Sequence, residues 1–329
     1  MLKGKKVLVT GAGGFIGSHL IEALLAKGAD VRAFVKYNGR GDLGMISDLP
    51  KASQSSLEII LGDVADPFFV RKVVRGCDYV FHLAALIGIP YSYVAPSDYV
   101  RVNVQGTVNI LQACCDEGTN RVVHTSTSEA YGTAQYTPID EKHPLQGQSP
   151  YSASKIAADK IVQPYYQSFD LPVVTVRPFN TFGPRQSARA LIPTVISQAL
   201  TRDKVSLGSL EPVRDLTFVK DTAEGLITVG LCDEVLGQVV NLGTGTGNSI
   251  ATIVKEILKM LGKENMPIEQ DQSRVRPPKS EVMCLISDNT IAREVCGWQP
   301  KYSLQKGLSE TIDWIKKNIE KYRPEVYAV

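Results

Sequence analysis

The stretch "VLVTGAGGFIGSHL", residues 7–20, constrains the fold of this chain more than any other. It runs from a β-branched apolar segment, through a glycine-rich turn, into a helical pattern. Gly11 permits a tight turn, Gly14 lets the backbone approach a pyrophosphate, and Gly17 lets helix and strand pack closely. A helix that begins there points free N–H groups and its positive dipole end at the turn, which suits a phosphate. A lone glycine pattern is a weak signal, but one that follows a strand and opens a helix predicts dinucleotide binding. The structural alternative is a tight turn with no ligand.

The remainder repeats the strand-then-helix rhythm. Apolar runs at 6–10, 30–35, 57–61, 79–83, 121–126, 173–177 and 238–242 predict strands. Helical patterns at 15–28, 67–75, 97–117 and 151–169 lie between them. Continuous apolar strands alternating with helices predict an α/β fold, a doubly wound parallel sheet covered on both faces. After Arg177 the rhythm changes to "RPFNTFGPRQSA", followed by helical patterns at 189–202, 219–232, 248–261 and 304–322. We expect residues 1–180 to form a dinucleotide-binding domain to which a strand at 238–243 returns. Residues 181–237 and 244–329 then form a smaller, mostly helical substrate domain.

Several function classes are disfavoured. The formal charge is +2 with no basic block, so no nucleic-acid partner is expected. No apolar run approaches the roughly 20 residues that span a bilayer, so no membrane association is expected. The six cysteines show no C-x-x-C spacing and the four histidines do not cluster. That argues against a metal site or a disulfide framework and fits a reducing, cytoplasmic setting.

Asp63, in "LGDVAD", is placed to bond an adenine amino group. The acid that usually ends the second strand and holds the ribose hydroxyls is missing from "AFVKYNGRGD". Lys36 and Arg40 stand nearby instead, either as partners for a 2′-phosphate or as solvated loop cations, so NAD and NADP both remain open. "SPYSASKIAADK" puts Tyr151 and Lys155 four apart on one helix face. A phenol of pKa ~10 is a poor base at neutral pH. A nearby ammonium stabilises the phenolate and lowers that value. "TSTSEAYG", residues 125–132, ends a buried strand with hydroxyls and then a carboxylate, Glu129, that has no basic neighbour in sequence.

With these residues in place, the chain resembles the extended short-chain dehydrogenase/reductase superfamily, in its nucleotide-sugar epimerase/dehydratase branch. The likeness runs through "TGAGGFIGSHL", "GDVAD", "HLAA", "NVQGTVNILQA", "STSEAYG", "YSASK", "RPFNTFGPRQ", "RDLTFVKDTA", "NLGTG" and "GWQPKYSLQKGLSETIDWI". It implies a Rossmann-type domain with tightly bound, recycled NAD(P) and a C-terminal part that holds a nucleoside diphosphate sugar. It implies Tyr151, Lys155 and Thr127 for the hydride step, and adds Phe15, Ile16, Val64, Leu83, Ala84, Ala85 and Asn103 to the cofactor shell. Asn180, Arg214 and Arg276 match positions that touch the diphosphate, although Arg214 could instead pair with Asp215. Ile87, Arg185 and Leu191 join them as expected substrate contacts. Lys279 occupies the place of an acid in the family's usual pattern, which leaves the base of the nucleotide open.

Within the family, epimerases carry small residues after the catalytic Ser/Thr and dehydratases carry a glutamate. Thr127-Ser128-Glu129 therefore favours a 4,6-dehydratase, in which Glu129 removes the C5 proton once C4 is a ketone. Ser128 stands where many glucose-type dehydratases have an aspartic acid. The motifs look most like dehydratases acting on UDP-N-acetylglucosamine in the legionaminic acid type of pathway, and Ala188, Ala190 and Leu191 suit an N-acetyl group. A 4-epimerase, a 5,6-dehydratase and a non-catalytic NAD(P) sensor are the alternatives. The resemblance also implies a homodimer, built as a four-helix bundle from the helices at 97–117 and 151–169.

Overall fold

Seven parallel strands build the main sheet: β1 Lys6–Thr10, β2 Asp30–Lys36, β3 Leu57–Gly62, β4 Tyr79–His82, β5 Arg121–Thr125, β6 Val173–Pro178 and, after three strands described below, β10 Val239–Leu242. Their order across the sheet is β10-β6-β5-β4-β1-β2-β3, so the chain works outward in one direction from β1 and then in the other. This is the doubly wound Rossmann arrangement, which opens a crevice at the carboxyl ends of β1 and β4. The structure is a computed structural model and describes residues 2–322 except residue 276.

The strands are buried on both sides. Val7, Val9, Ala33, Phe81, Val123, Val174 and Val240 face a core shared with the helices Phe15–Ala26 and Val219–Gly230. Leu8, Phe34, Val80, Val122 and Val173 face the opposite core, under the helices Pro67–Val74, Gly106–Glu117 and Pro150–Phe169. The helix Val219–Gly230 thus packs on the main sheet, although sequence order groups it with the second part. Trp298 joins it there and donates its indole N–H to the Asp221 carbonyl at 3.1 Å.

The pattern at 97–117 predicts one regular helix. The structure instead holds a turn at Pro96–Tyr99, a π-type segment at Val100–Gln105, and then the helix Gly106–Glu117. Gly106 stands where the helix presses on Val64, since a Cβ there would lie 2.9 Å from Val64 Cγ2.

The second part is less purely helical than expected. The helices Leu191–Thr201, Ile250–Met260 and Leu304–Lys317 close a core with Phe182, Phe218 and Val205. Six short strands accompany them: β7 Asn180–Phe182, β8 Val205–Leu207, β9 Val213–Phe218, β11 Gly247–Ser249, β12 Ile268–Gln270 and β13 Cys284–Leu285. β9 pairs with β7, β11 and β13, while β8 pairs with β12. These strands have two to six residues and mixed polarity, too little for the alternation that marks a strand in sequence.

Candidate active site

At the end of β1, Gly11 takes φ 69°, and a Cβ there would lie 2.8 Å from the Ala84 nitrogen. A Cβ on Gly17 would come within 2.3 Å of the Gly11 oxygen. The β1 turn, the first helix and the segment after β4 therefore touch through bare backbone. Gly14 starts the helix with no side-chain cap, which leaves the first-turn amides of Phe15 and Ile16 unclaimed by any side chain. That donor set fits a pyrophosphate.

Thr10 ties the crevice together. Its Oγ1 accepts from the Leu83 and Ala84 amides at 3.1 and 3.0 Å, so its own proton goes to His82 Nδ1 at 2.8 Å. His82 Nε2–H then donates to the Thr107 hydroxyl, which donates to the Asn103 carbonyl. Burial first, then the His124 and Lys155 charges, hold this imidazole neutral, well below its usual pKa. Asn103 accepts from the Leu86 amide, and donates to the Leu86 carbonyl and to Ser154 Oγ at 2.9 Å, on the helix that carries Tyr151. Ala85 is half-buried on the segment these bonds fix, and Val64 is buried, its carbonyl held by Asn109.

Lys36 is placed differently from the 2′-phosphate reading. Its ammonium is bonded to Asp63, which also accepts from Arg101 and from the Ala65 amide. Burial opposes ionisation of Asp63, but these donors prevail and hold its carboxyl below the usual range. Arg40 is exposed on a loop folded by Asn38, whose Oδ1 accepts from the Arg40 and Asp42 amides.

The chemistry-bearing residues gather where β5 ends. Thr127 caps the 3₁₀ turn Ser128–Tyr131, accepting from the Glu129 amide at 3.2 Å. Ser149 caps the helix Pro150–Phe169 in a reciprocal box with Ser152, and Pro150 sits in its first turn. That start fixes Tyr151 and Lys155 in the first two turns, both buried. Lys155 Nζ donates to the Thr125 carbonyl at 2.8 Å. Burial lowers its pKa to about 8, against the pull of Asp159. Burial also raises the Tyr151 phenol well above its usual value; the Thr127 hydroxyl bonded to it works the other way, and the Glu129 charge raises it further. Ser128 is buried beside them.

Glu129 is half-buried. Among the described residues its carboxylate has no hydrogen bond and no ion pair, so backbone amides do not hold it. It stands close enough to Tyr151 to act on the phenol, free of any structural partner.

One turn beyond Lys155, Asp159 is the centre of a buried network that sequence reasoning missed. Its Oδ1 accepts from His124 at 3.1 Å, and its Oδ2 from Ser126 at 2.8 Å and from Arg177 Nη2 at 2.8 Å. Burial works against this charge, yet the donors bring its pKa to about 2. Arg177 also lies over the Tyr131 ring at 4.8 Å. The spacing Lys155 to Asp159 was the one available signal.

Around the crevice the expected substrate residues divide. Asn180, on β7, keeps a buried Oδ1 without a partner among the described residues. Arg214 is buried, donates to the Val213 carbonyl at 3.1 Å and pairs with Glu281 at 3.3 Å. Asp215 is not its partner; it accepts from Thr244, Gly245 and Ser287. Arg276 lies outside the described residues. The buried guanidinium of Arg185 pairs with Glu22 on the first helix. Leu191 packs into the second core, and Ile87 is exposed. Lys279 offers its carbonyl to Gln148, and Ser280 bonds both the Gln148 carbonyl and the Tyr93 hydroxyl, which ties the 278–280 turn to both segments.

Residues 8–311 match the family model described as GDP-mannose 4,6 dehydratase. The chain is 30% identical to a dTDP-D-glucose 4,6-dehydratase of Mus musculus, over 97% of this chain and 91% of that one. Its structure superposes on a dTDP-glucose 4,6-dehydratase (DesIV) double mutant of Streptomyces venezuelae with NAD and DAU bound, at TM-score 0.84 and 29% identity, covering 97% and 99% of the two chains. It also matches a UDP-N-acetylglucosamine 4-epimerase of Methanobrevibacter ruminantium in complex with UDP-N-acetylmuramic acid, at TM-score 0.86 and 28% identity, covering 96% and 99%.

Proposed function

The chain belongs to the GDP-mannose 4,6-dehydratase family of NAD-dependent nucleotide-sugar enzymes, and from that premise we propose that it is a 4,6-dehydratase acting on UDP-N-acetylglucosamine. The observation that carries the choice of dehydration over epimerisation is Glu129. It is a half-buried carboxylate beside Tyr151, with no structural partner among the described residues. An epimerase needs no base at C5, only room to turn its ketone.

NAD, when bound, supplies the acceptor that takes hydride from C4 and returns it to C6, so it ends as it began. The protein's residues do the remainder. Tyr151 removes the C4 hydroxyl proton as its phenolate; burial works against that form, and the Thr127 hydroxyl, the Lys155 ammonium and the positive ring that bound NAD would supply favour it. The C4 ketone acidifies the C5 hydrogen, and Glu129 takes that proton. Ser128 offers no acid of its own. The proton now on Glu129 then goes to the C6 hydroxyl, which departs as water and leaves a C5–C6 double bond. The proton Tyr151 took from the C4 hydroxyl is exchanged with solvent and one proton re-enters at C5 through Glu129; with the hydride that NAD would return at C6, the sum is loss of one water and a 4-keto-6-deoxy sugar.

Asn180 and Arg214 are assigned to the diphosphate from the family positions they match; the donors would be the Asn180 amide N–H group and the Arg214 guanidinium. The assignment of UDP-N-acetylglucosamine rests on the motifs around Glu129 and residues 187–193, and on the likeness to an enzyme named for that sugar. We assign a homodimer through the helical segments 96–117 and 150–169, whose outer faces expose Val100, Tyr166 and Phe169.

Replacing Glu129 by Gln tests the reading. The variant should bind NAD and nucleotide sugar like the parent, yet form no dehydrated product and incorporate no solvent deuterium at C5. Dehydration at the parental rate would remove Glu129 from the mechanism.

A further inference from the structure

Arg189 lies on the segment that leads into the helix Leu191–Thr201, in a turn closed by the Ala190 amide on the Ser187 carbonyl. From there its side chain crosses the crevice to the loop after β4. A Cβ built on Gly88 would meet Arg189 Nη1 at 3.2 Å and the Tyr99 hydroxyl oxygen at 3.5 Å. Tyr99 in turn packs its ring against that of Tyr151, centroids 6.2 Å apart at 77°. The guanidinium therefore stands one aromatic ring away from the proposed base. Its charge acts on the Tyr99 phenol, partly offsetting the upward push of burial.

Arg189 is exposed, and its charge is solvated rather than paired. Among the described residues Arg189 makes no side-chain hydrogen bond and no ion pair. The Tyr99 hydroxyl is committed to the Gly88 carbonyl. A guanidinium has five donors and no acceptor, so a ligand here must bring an oxygen acceptor. The reaction narrows which one. A 4,6-dehydratase needs hydroxyls at C4 and C6, so a C6 carboxylate is excluded. The diphosphate leaves from C1, at the Asn180 and Arg214 end. Of the acceptors left on the sugar, an acylamino carbonyl at C2 is stronger than the hydroxyls and is the one we assign.

We propose that Arg189 is the specificity-determining residue for an N-acyl sugar, donating to the carbonyl oxygen of the 2-acylamino group; this rests on the dehydratase reading above. Gly88 leaves room for the guanidinium, since a Cβ there would lie 3.2 Å from Nη1. Among the described residues the side chain makes no hydrogen bond and no ion pair, so its replacement should leave the fold intact, and a melting curve checks this.

The test compares UDP-N-acetylglucosamine with UDP-glucose, which differ at C2 alone, on the parent, Arg189→Met and Arg189→Lys. For the acylated substrate Arg189→Met should lower kcat/KM by about tenfold to a hundredfold, mainly through KM, the size of one charge-assisted hydrogen bond. UDP-glucose should change by less than about twofold, and Arg189→Lys should fall between. Equal losses on both substrates, or none on either, would overturn the role. Should the parent dehydrate neither sugar, the dehydratase reading fails separately. Calorimetric binding of the two nucleotide sugars to NAD-loaded parent and Arg189→Met then decides Arg189: a loss confined to the acylated ligand upholds it, and no selective loss refutes it.

Discussion

Lys155 Nζ donates a 2.8 Å hydrogen bond to the carbonyl oxygen of Thr125, and so ties the helix bearing Tyr151 to the strand end bearing Thr127. The ammonium is held one helical turn on from Tyr151 at the cost of burial, which brings its pKa from 10.5 to about 8. Activity that needs this ammonium should fall as pH rises through about 8. A guanidinium in its place would not titrate there. In a pH profile of kcat/KM, Lys155→Arg should lose the alkaline limb and Lys155→Met should lose most activity, on the order of 10²-fold or more. An unchanged alkaline limb in Lys155→Arg would assign it to another group.

The same shift bears on stability. Between about 8 and 10.5 the unfolded chain holds a proton at Lys155 that the folded chain does not. Stability from this group therefore rises with pH across that window. Chemical denaturation at pH 8 and pH 10 should show the rise in the parent and its loss in Lys155→Met.

Asp159 acts at the other end of the pH scale. Its folded pKa of about 2 lies below the ordinary 3.8, so it stabilises the fold above that ordinary value and the contribution fades as pH falls towards 2. Asp159→Asn should remove this acid dependence. It should also destabilise by roughly 3–5 kcal/mol at neutral pH, because Arg177 is left as a buried charge without its partner. A urea midpoint unaltered by the substitution would show that the network is relaxed elsewhere.

Gly17→Ala places a methyl group 2.3 Å from the Gly11 oxygen, against backbone that has no room to yield. The expected cost is about 1–3 kcal/mol, with weaker NAD binding as the turn and helix separate. Gly39 meets nothing within 4 Å, so Gly39→Ala is the control and should leave calorimetric NAD affinity unchanged.

The homodimer assignment predicts sedimentation at twice the 35.9 kDa chain mass. Val100 is exposed on one proposed interface helix. Val100→Glu would bury a charge there, and should shift the protein to the monomer. A monomeric parent would refute the assignment.

The sheet could be read from the sequence because its strands are long apolar runs buried on both faces, and because the glycine turn marks where the first helix begins. Tyr151 and Lys155 could be read because helical spacing alone puts them on one face. Long-range electrostatics could not. Arg185 sits beside substrate-facing residues in sequence, yet its partner Glu22 is 163 residues away. Lys36 has a cation's freedom on paper, but Asp63 claims it from 27 residues on. The Asp159 network joins His124 and Ser126 at the end of β5 and Arg177 on β6 to the helix that carries Asp159, and no local pattern encodes such a meeting. The helix Val219–Gly230 follows the second part in chain order but belongs to the main sheet by packing, since its apolar face meets the first helix.

The central claim is loss of water, and mass spectrometry reads it directly. NAD-loaded protein incubated with UDP-N-acetylglucosamine should yield a nucleotide sugar lighter by one water, and NMR should show a C6 methyl group beside a C4 ketone. A new isomer of unchanged mass would contradict the account, make the protein an epimerase, and leave Glu129 a binding group rather than a base.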